Sequence, residues 1–392
     1  MPSRIRQRLT ALLRAATVLP RTIVAPRRSP PRLRFVYVEM GASTRYRVQH
    51  HLEQAQIAGF VADAMPLDDS RRLYDLAQTD LIYVHRLPLA ALTLPLVIAA
   101  RLRRIPLVFD ADDLVWDERE REYSFLDRHH DPHTVDQLLK QARHNRMLMR
   151  LSDALVCSTP YLARLAADLR RPTFVSPNVL SREQLVHSQT AYDTRCCAPP
   201  PESPVIGYFC GYAHVHDEDV ATIGPALAAT LETCPAARLR IYGEVTLPPH
   251  LDAPPFAGRI ERRPVVNWRE LPQHIAGIDV NIAPLVDNPQ RRGKSAIKYL
   301  EAAAVGVPTV AARMEPYRDA VVDGASGFLA TTHEEWVAAL TRLLADPELR
   351  RRMGKVARAH VLAEHTTECQ AARFAGIIAG IAAPPARGAQ RT

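Results

Sequence analysis

The sequence predicts an α/β protein made of two doubly wound domains with parallel sheets. From Arg34 onward, short β-branched or apolar runs alternate with helical segments. The alternation halts once, near residue 181, and a second series follows. The 392 residues, 47% apolar and 23% charged, have room for two or three globular domains at about 150 residues each.

Strands of the first series are expected at Phe35–Glu39, Phe60–Ala64, Leu81–His85, Leu107–Asp110, Ala154–Cys157 and Thr173–Val175. Residues 181–203 lack periodicity and hold Pro199, Pro200 and Pro201 beside Cys196 and Cys197, with Pro204 following, which reads as an interdomain linker. The second series is expected at Val205–Phe209, Leu239–Tyr242, Arg259–Glu261, Val280–Ala283 and Thr309–Ala311. These runs divide the chain into a leader over 1–33, a domain over 34–180, the linker over 181–203, a domain over 204–365, and a helix and tail over 366–392. Open parallel sheets bind ligands beyond the carboxyl ends of their strands, so two such domains facing across a cleft direct attention to the strand-to-helix loops.

The net charge of +8 belongs to the leader. Residues 1–38 take nine of the 50 basic residues and no acid, leaving 41 basic against 42 acidic residues elsewhere. Ile5, Leu9, Leu12, Leu13, Ala16 and Leu19 fall on one helical face among arginines, a pattern suited to lying on an anionic membrane surface through residues 4–19. The alternatives are a solvated, disordered leader and an Arg-rich transit peptide. Nucleic-acid binding is not expected, because the body has no basic surplus. No apolar run reaches the ~18 residues of a membrane span. The six cysteines have no metal-ligand spacing and read as reduced thiols. A cytoplasmic protein, peripheral to a membrane if the leader binds one, is the expectation.

The most informative stretch runs from Asp279 to Val310. A buried strand gives way to a polar loop with Arg291, Arg292 and Lys294, and then to a helix expected to begin near Lys294 or Ser295 and to stop at Gly306-Val-Pro308. Free amides at that helix start, the positive end of its dipole and the loop cations suit a pyrophosphate. Lys294, Lys298 and Glu301 are spaced to share one helical face, where the carboxylate could accept hydrogen bonds from a ribose. The alternative is a solvated Lys-Glu face contributing a few tenths of a kcal/mol.

The run Lys294-Ser-Ala-Ile-Lys-Tyr-Leu-Glu-Ala-Ala-Ala-Val-Gly-Val-Pro-Thr-Val, followed by Glu315-Pro-Tyr, Gly324-Ala-Ser-Gly-Phe-Leu and Glu335-Trp-Val, resembles the carboxyl-terminal half of glycosyltransferase family 4 proteins. Val205-Ile-Gly-Tyr-Phe-Cys-Gly with Asp217, Ser176-Pro-Asn-Val and Arg45-Tyr-Arg-Val extend the resemblance to about residues 34–365. It implies a GT-B enzyme: two Rossmann-like domains, a nucleotide-sugar donor held by the second, transfer with retention, no metal, and no cofactor beyond the donor as co-substrate. Carried across, Glu301 matches the acid that binds the donor ribose. The further acid of many relatives is replaced by Gly293, and their early Arg/Lys phosphate pair is not visible after Gly211, where Tyr212, Ala213, His214 and His216 stand. Lys294, Ser295 and Lys298 are therefore expected to carry the phosphate, with Arg291 or Arg292 in reserve.

In the first domain, Gly41 would let the backbone approach the donor, and Arg45 or Arg47 would meet the leaving pyrophosphate. Phe109-Asp-Ala-Asp-Asp ends a strand where relatives place a side chain of the catalytic site, and its acids should be solvated, paired with arginine or used. Asp112 stands where some relatives carry histidine and could orient or deprotonate the acceptor hydroxyl, with Asp113, Asp110 and His85 as competitors. The same letters fit the Asp-x-Asp metal pattern of single-domain transferases, which the two-domain layout argues against. The expected partners are a nucleotide-sugar donor and a carbohydrate or lipid-linked acceptor, as in polysaccharide or glycolipid assembly. A catalytically silent GT-B scaffold is the alternative; Gly41-Ala-Ser-Thr-Arg lacks the glycine spacing of a nicotinamide site.

Overall fold

The computed structural model describes residues 30–69, 76–124, 126–199 and 201–382. The leader helix expected over 4–19 and the end of the tail lie outside the described residues. Two compact units are present, one of the residues up to Asn178 with those from Gln370 onward, the other Val179–Cys369.

In the first unit, β1 (Arg32–Tyr37), β2 (Val61–Pro66), β3 (Leu81–His85), β4 (Leu107–Ala111), β5 (Ala154–Cys157) and β6 (Thr173–Val175) form a parallel sheet in the order β2-β1-β3-β4-β5-β6. β3 and β4 are buried along their whole length, which is why Leu81-Ile-Tyr-Val-His and Leu107-Val-Phe-Asp-Ala read as continuous rather than alternating apolar runs. Alternate residues feed two core layers. Val36, Ile82, Val84, Phe109 and Leu155 pack on one face; Phe35, Tyr83, Val108 and Val156 pack on the other against Phe374, Ile377 and Ile378. The last three belong to the helix Thr367–Ala382, whose apolar side explains why the chain's end returns to the first unit.

The second unit repeats the plan with β7 (Val205–Phe209), β8 (Arg238–Tyr242), β9 (Ile260–Arg263), β10 (Val280–Ala283), β11 (Thr309–Ala312) and β12 (Phe328–Ala330), ordered β12-β11-β10-β7-β8-β9. Strand order reverses between β1 and β3 in one sheet and between β7 and β10 in the other. Those switch points are where adjacent loops splay apart and leave room for a ligand.

The linker expected over 181–203 is instead largely a helix, Arg182–Cys197. Ser181 accepts from the Gln184 amide while the Gln184 side chain accepts from the Ser181 amide, closing a capping box. Ala191 on that helix packs with Val205, Ile278, Ala302 and Val305, so the segment is part of the second unit's core. The prolines mark only the helix's end. Strand β12, Phe328–Ala330, was not expected from the sequence.

Candidate functional site

Beside the first switch point the ends of β3 and β4 lie side by side, with His85 in register with Asp110. Asp110 is fully buried and accepts from Arg47 Nε at 2.9 Å, Arg47 Nη2 at 2.6 Å and the Tyr83 hydroxyl at 2.6 Å, with His85 Nδ1 at 3.0 Å. Burial pushes its carboxyl up, but the charge and hydrogen bonds of Arg47 prevail and hold it far below the usual range. Arg47 sits on a π-helical turn, Arg45–Gln49, and also donates to the Ser176 carbonyl at 2.7 Å and Asn178 Oδ1 at 2.9 Å. Of Arg45 and Arg47, one was expected to meet a pyrophosphate and the other only to cap the sheet; Arg47 takes the capping role and is removed as a pyrophosphate ligand. Its guanidinium is buried and committed to Asp110, and its function is to fix the strand ends. Arg45 is half-buried with its guanidinium 5.3 Å from the Tyr46 ring centre, and Gly41 is exposed in the preceding turn.

Above this buried layer stands Asp112. The Ser43 hydroxyl donates to its carboxylate, with Oγ 2.8 and 2.9 Å from the two oxygens, and lies 3.0 Å from His85 Nε2. Arg86 Nη2 is 2.5 Å from Asp112 Oδ1 and also pairs with Asp113. Arg86 has a φ of +50°, a left-handed conformation that a non-glycine residue adopts at a cost and that turns it toward both acids. Ser43, His85 and Asp110 are thus in line, but the one hydroxyl proton serves Asp112, so the serine orients a carboxylate and is not set up as a nucleophile. The acids after β4 are paired with arginine or serine, and among the described residues no group of three His, Cys, Asp or Glu side chains has a metal-holding arrangement. Ser43 and Arg86 were not distinguished by any spacing in the sequence. Their roles come from the tertiary fold, which brings the helix after β1 and the turn after β3 to the end of β4.

At the second switch point, Asp219 is the buried centre. It accepts from the Val286 amide at 2.8 Å and Arg291 Nε at 3.1 Å, and His216 Nδ1 stands 2.6 Å away. Arg291 also donates to the Val215 carbonyl. The loops after β7 and β10 are therefore tied together through one carboxylate. Arg291 is spent on this tie, which corrects its expected role as a reserve phosphate ligand. Arg292 pairs with Asp287 at 2.5 Å.

The helix expected from Lys294 or Ser295 begins at Ile297, after a separate short helix, Pro289–Arg292. Lys294 and Ser295 consequently lie in the connecting turn, half-buried, and Lys294 does not share the helical face of Lys298 and Glu301. Lys298 reaches back to donate to the Phe209 carbonyl at the end of β7, with its Nζ 4.8 Å from the Tyr208 ring centre. Burial lowers its pKa, partly offset by the neighbouring Cys210 and the Glu301 charge. Gly211 is exposed in the loop just beyond. That loop is anchored by Gly243, whose φ of +95° and whose approach to the Cys210 carbonyl leave no room for a side chain. His214 is held by Asp217 at 3.1 Å and donates its amide to the Glu244 carbonyl, so it shapes the loop.

The His216–Asp219 pair gives a pH prediction. Burial, only partly opposed by Asp219, lowers the His216 pKa to about 4. The folded state therefore favours neutral imidazole, so stability from this site is full above the unfolded pKa of about 6.5 and falls as pH drops toward 4. In thermal melts between pH 7 and 4, His216→Asn should show a flatter decline than the unsubstituted protein; identical slopes would exclude this assignment.

Residues 225–376, less than half of the chain, match a family model described as glycosyl transferase-like. The chain has a GT-B fold, and its second half is similar to that glycosyl transferase-like family. It is 40% identical over 80 residues to a D-inositol 3-phosphate glycosyltransferase of Saccharomonospora viridis, a match covering 20% of this chain and 19% of that relative. Among solved structures, the Anabaena protein Alr3699/HepE in complex with UDP and glucose has a TM-score of 0.60 at 13% identity, over 89% of this chain and 100% of that one. A glycosyltransferase from Rickettsia africae has a TM-score of 0.62 at 9% identity, over 90% and 98%. The sucrose-phosphate synthase of Thermosynechococcus elongatus has a TM-score of 0.60 at 13% identity, over 90% and 99%. At such identities the structural likeness speaks for the fold. No described helix is long and apolar enough to cross a membrane.

Proposed function

We propose that this protein transfers a sugar from a nucleoside diphosphate sugar to a hydroxyl acceptor, with retention at the anomeric carbon. The observation that carries the reading is the second switch point. There the loop with Gly211, the turn with Lys294 and Ser295, and the helix with Lys298 and Glu301 converge beyond the ends of β7 and β10. Family resemblance and the UDP and glucose named for the Anabaena protein support a nucleotide-sugar donor on these loops. Departure of the nucleoside diphosphate builds negative charge on the diphosphate oxygens. Lys294, Lys298 and the amides at Ser295 would meet that charge in place, stabilising the transition state more than the ground state. Lys298 is pinned by Phe209, so its ammonium is already oriented. Glu301 would accept from ribose hydroxyls.

Asp112 would hold or deprotonate the acceptor hydroxyl, with Asp113 and His85 shaping its surroundings. Attack on the face from which the diphosphate leaves would let a phosphate oxygen share that proton. Gly41 and Arg45 would border the donor. The basic leader supports a lipid-linked or membrane-borne acceptor, as in polysaccharide or glycolipid assembly. No metal and no cofactor beyond the donor are part of this reading.

Calorimetric titration with UDP, GDP and ADP, with and without magnesium, tests it. One nucleotide should bind without metal, and Glu301→Ala should weaken it by about 1–3 kcal/mol, the cost of leaving the ribose hydroxyls without their acceptor. Unchanged affinity in a folded variant removes Glu301 from the site. Binding of one nucleotide without transfer to any acceptor would favour a silent scaffold.

A further inference from the structure

We propose that a basic cavity at the amino-terminal end of the second unit's sheet binds a small phosphorylated metabolite, separately from the loops at the carboxyl ends of the strands. The cavity measures about 420 Å³, a volume suited to a sugar phosphate. Its floor is Ile278 and Asp279, just before β10, and Gly306, just before β11, which puts it at the opposite strand ends from Phe209 and Lys298. Tyr192, Pro199 and Pro347 supply apolar wall.

The charge lining it is one-sided. Among the described residues, Arg195, Arg350, Arg351 and Lys355 face a single lining acid, Asp279. One oxygen of Asp279 serves two guanidiniums at long range, 3.5 Å from Arg350 and 4.0 Å from Arg195, while the other accepts from the Val205 amide at 2.9 Å. Neither guanidinium contact has the length of a good charged hydrogen bond. Burial accordingly lowers the pKa of both arginines, and Asp279 compensates only in part.

Arg195 and Arg350 also donate to the carbonyls of Ala276, Ile278, Leu343 and Leu344, at the ends of neighbouring helices. Those bonds explain why the two arginines are held rigidly. They do not explain why Arg351 and Lys355, exposed and one helical turn apart, line the same opening. Arg351 has Glu348 for a partner; even so, cations exceed acids around the cavity. A phosphate dianion would supply the missing negative charge to preset guanidinium donors, and its carbon skeleton would cover the prolines and the tyrosine ring.

Cys196 lines this cavity and gives a readout independent of sugar transfer. Its alkylation by iodoacetamide would be followed by peptide mass spectrometry at constant ionic strength, with no nucleotide present. Glucose 6-phosphate at about four times its Kd should slow alkylation of Cys196 about fivefold. Cys369 should be unaffected, glucose should be without effect, and inorganic phosphate should protect more weakly. Arg351→Ala combined with Lys355→Ala, both exposed, should keep the melting temperature and lose the protection. The proposal is overturned by absence of protection with every phosphate, by equal protection from glucose, or by protection that survives the double substitution. None of these outcomes depends on nucleotide binding to the loops around Glu301, so the two readings fail separately.

Discussion

Asp110→Ala is expected to destabilise the first unit by about 3–5 kcal/mol, because it strands the Arg47 guanidinium in the interior. Arg47 and Asp110 are both fully buried, and the pair joins the π-helical turn, β4 and the Ser176–Asn178 segment. Deleting the carboxylate leaves Arg47 with neutral acceptors alone and removes a partner from Tyr83 and His85. For a unit of this size the shift in melting temperature should be about 2–4 °C per kcal/mol. The companion substitution Arg47→Met with Asp110→Leu removes both charges and should recover much of the loss, since apolar replacements of a buried pair can be neutral. A loss below about 1 kcal/mol for Asp110→Ala would show that the pair is not the fastening described. Acid gives a second readout. The folded carboxyl lies far below its unfolded value, so its stabilisation is complete above the unfolded pKa of about 4 and is lost as pH falls below it. That part of the acid transition should be missing in the doubly apolar variant.

The parallel strands were legible because their burial writes itself into composition. Leu81–His85, Ala154–Cys157, Thr173–Val175, Val205–Phe209 and Val280–Ala283 are predicted to the residue, and all but the half-buried edge strand Thr173–Val175 are short runs covered on both faces. The helix Arg182–Cys197 was hidden because its polar surface gives almost no periodicity, even though Ser181 and Gln184 spelled a capping box. In the site, types were legible and partners were not. Asp110, Asp112 and Asp113 are adjacent letters, yet β4 turns one into the buried core with Arg47 and leaves the others to Ser43 and Arg86. That sorting depends on pleat and register. Arg47 and Arg291 looked like phosphate ligands because arginine chemistry is the same in either role. Each is instead consumed by a buried carboxylate, Asp110 or Asp219, distant in sequence. Lys294 and Lys298 seemed to share a face only under the assumption of one continuous helix, which the break before Ile297 removes.

Asp112→Asn is expected to leave nucleotide affinity unchanged while lowering kcat by about 10²- to 10⁴-fold, the range for loss of a general base. The substitution is nearly isosteric. The amide oxygen can still accept from Ser43, and Arg86 retains its ion pair with Asp113, so the fold around the site should persist. What disappears is a negative charge only 6% exposed, held by a serine hydroxyl and a strained arginine turn. Ser43→Ala should lower kcat less, because Arg86 alone still holds the carboxylate, and restoring a hydroxyl with Ser43→Thr should recover part of the loss. A positioning role for Ser43 therefore predicts a graded series in kcat at constant nucleotide Kd. Full activity in Asp112→Asn would transfer the acceptor proton, in the proposed retaining reaction, to a phosphate oxygen of the departing diphosphate, which attack on the same face would bring within reach. In that event Lys298, which would tune the basicity of that phosphate, becomes the residue whose replacement by methionine should cost the larger factor. Comparing Asp112→Asn with Lys298→Met in single-turnover transfer therefore distinguishes a carboxylate base from a substrate base.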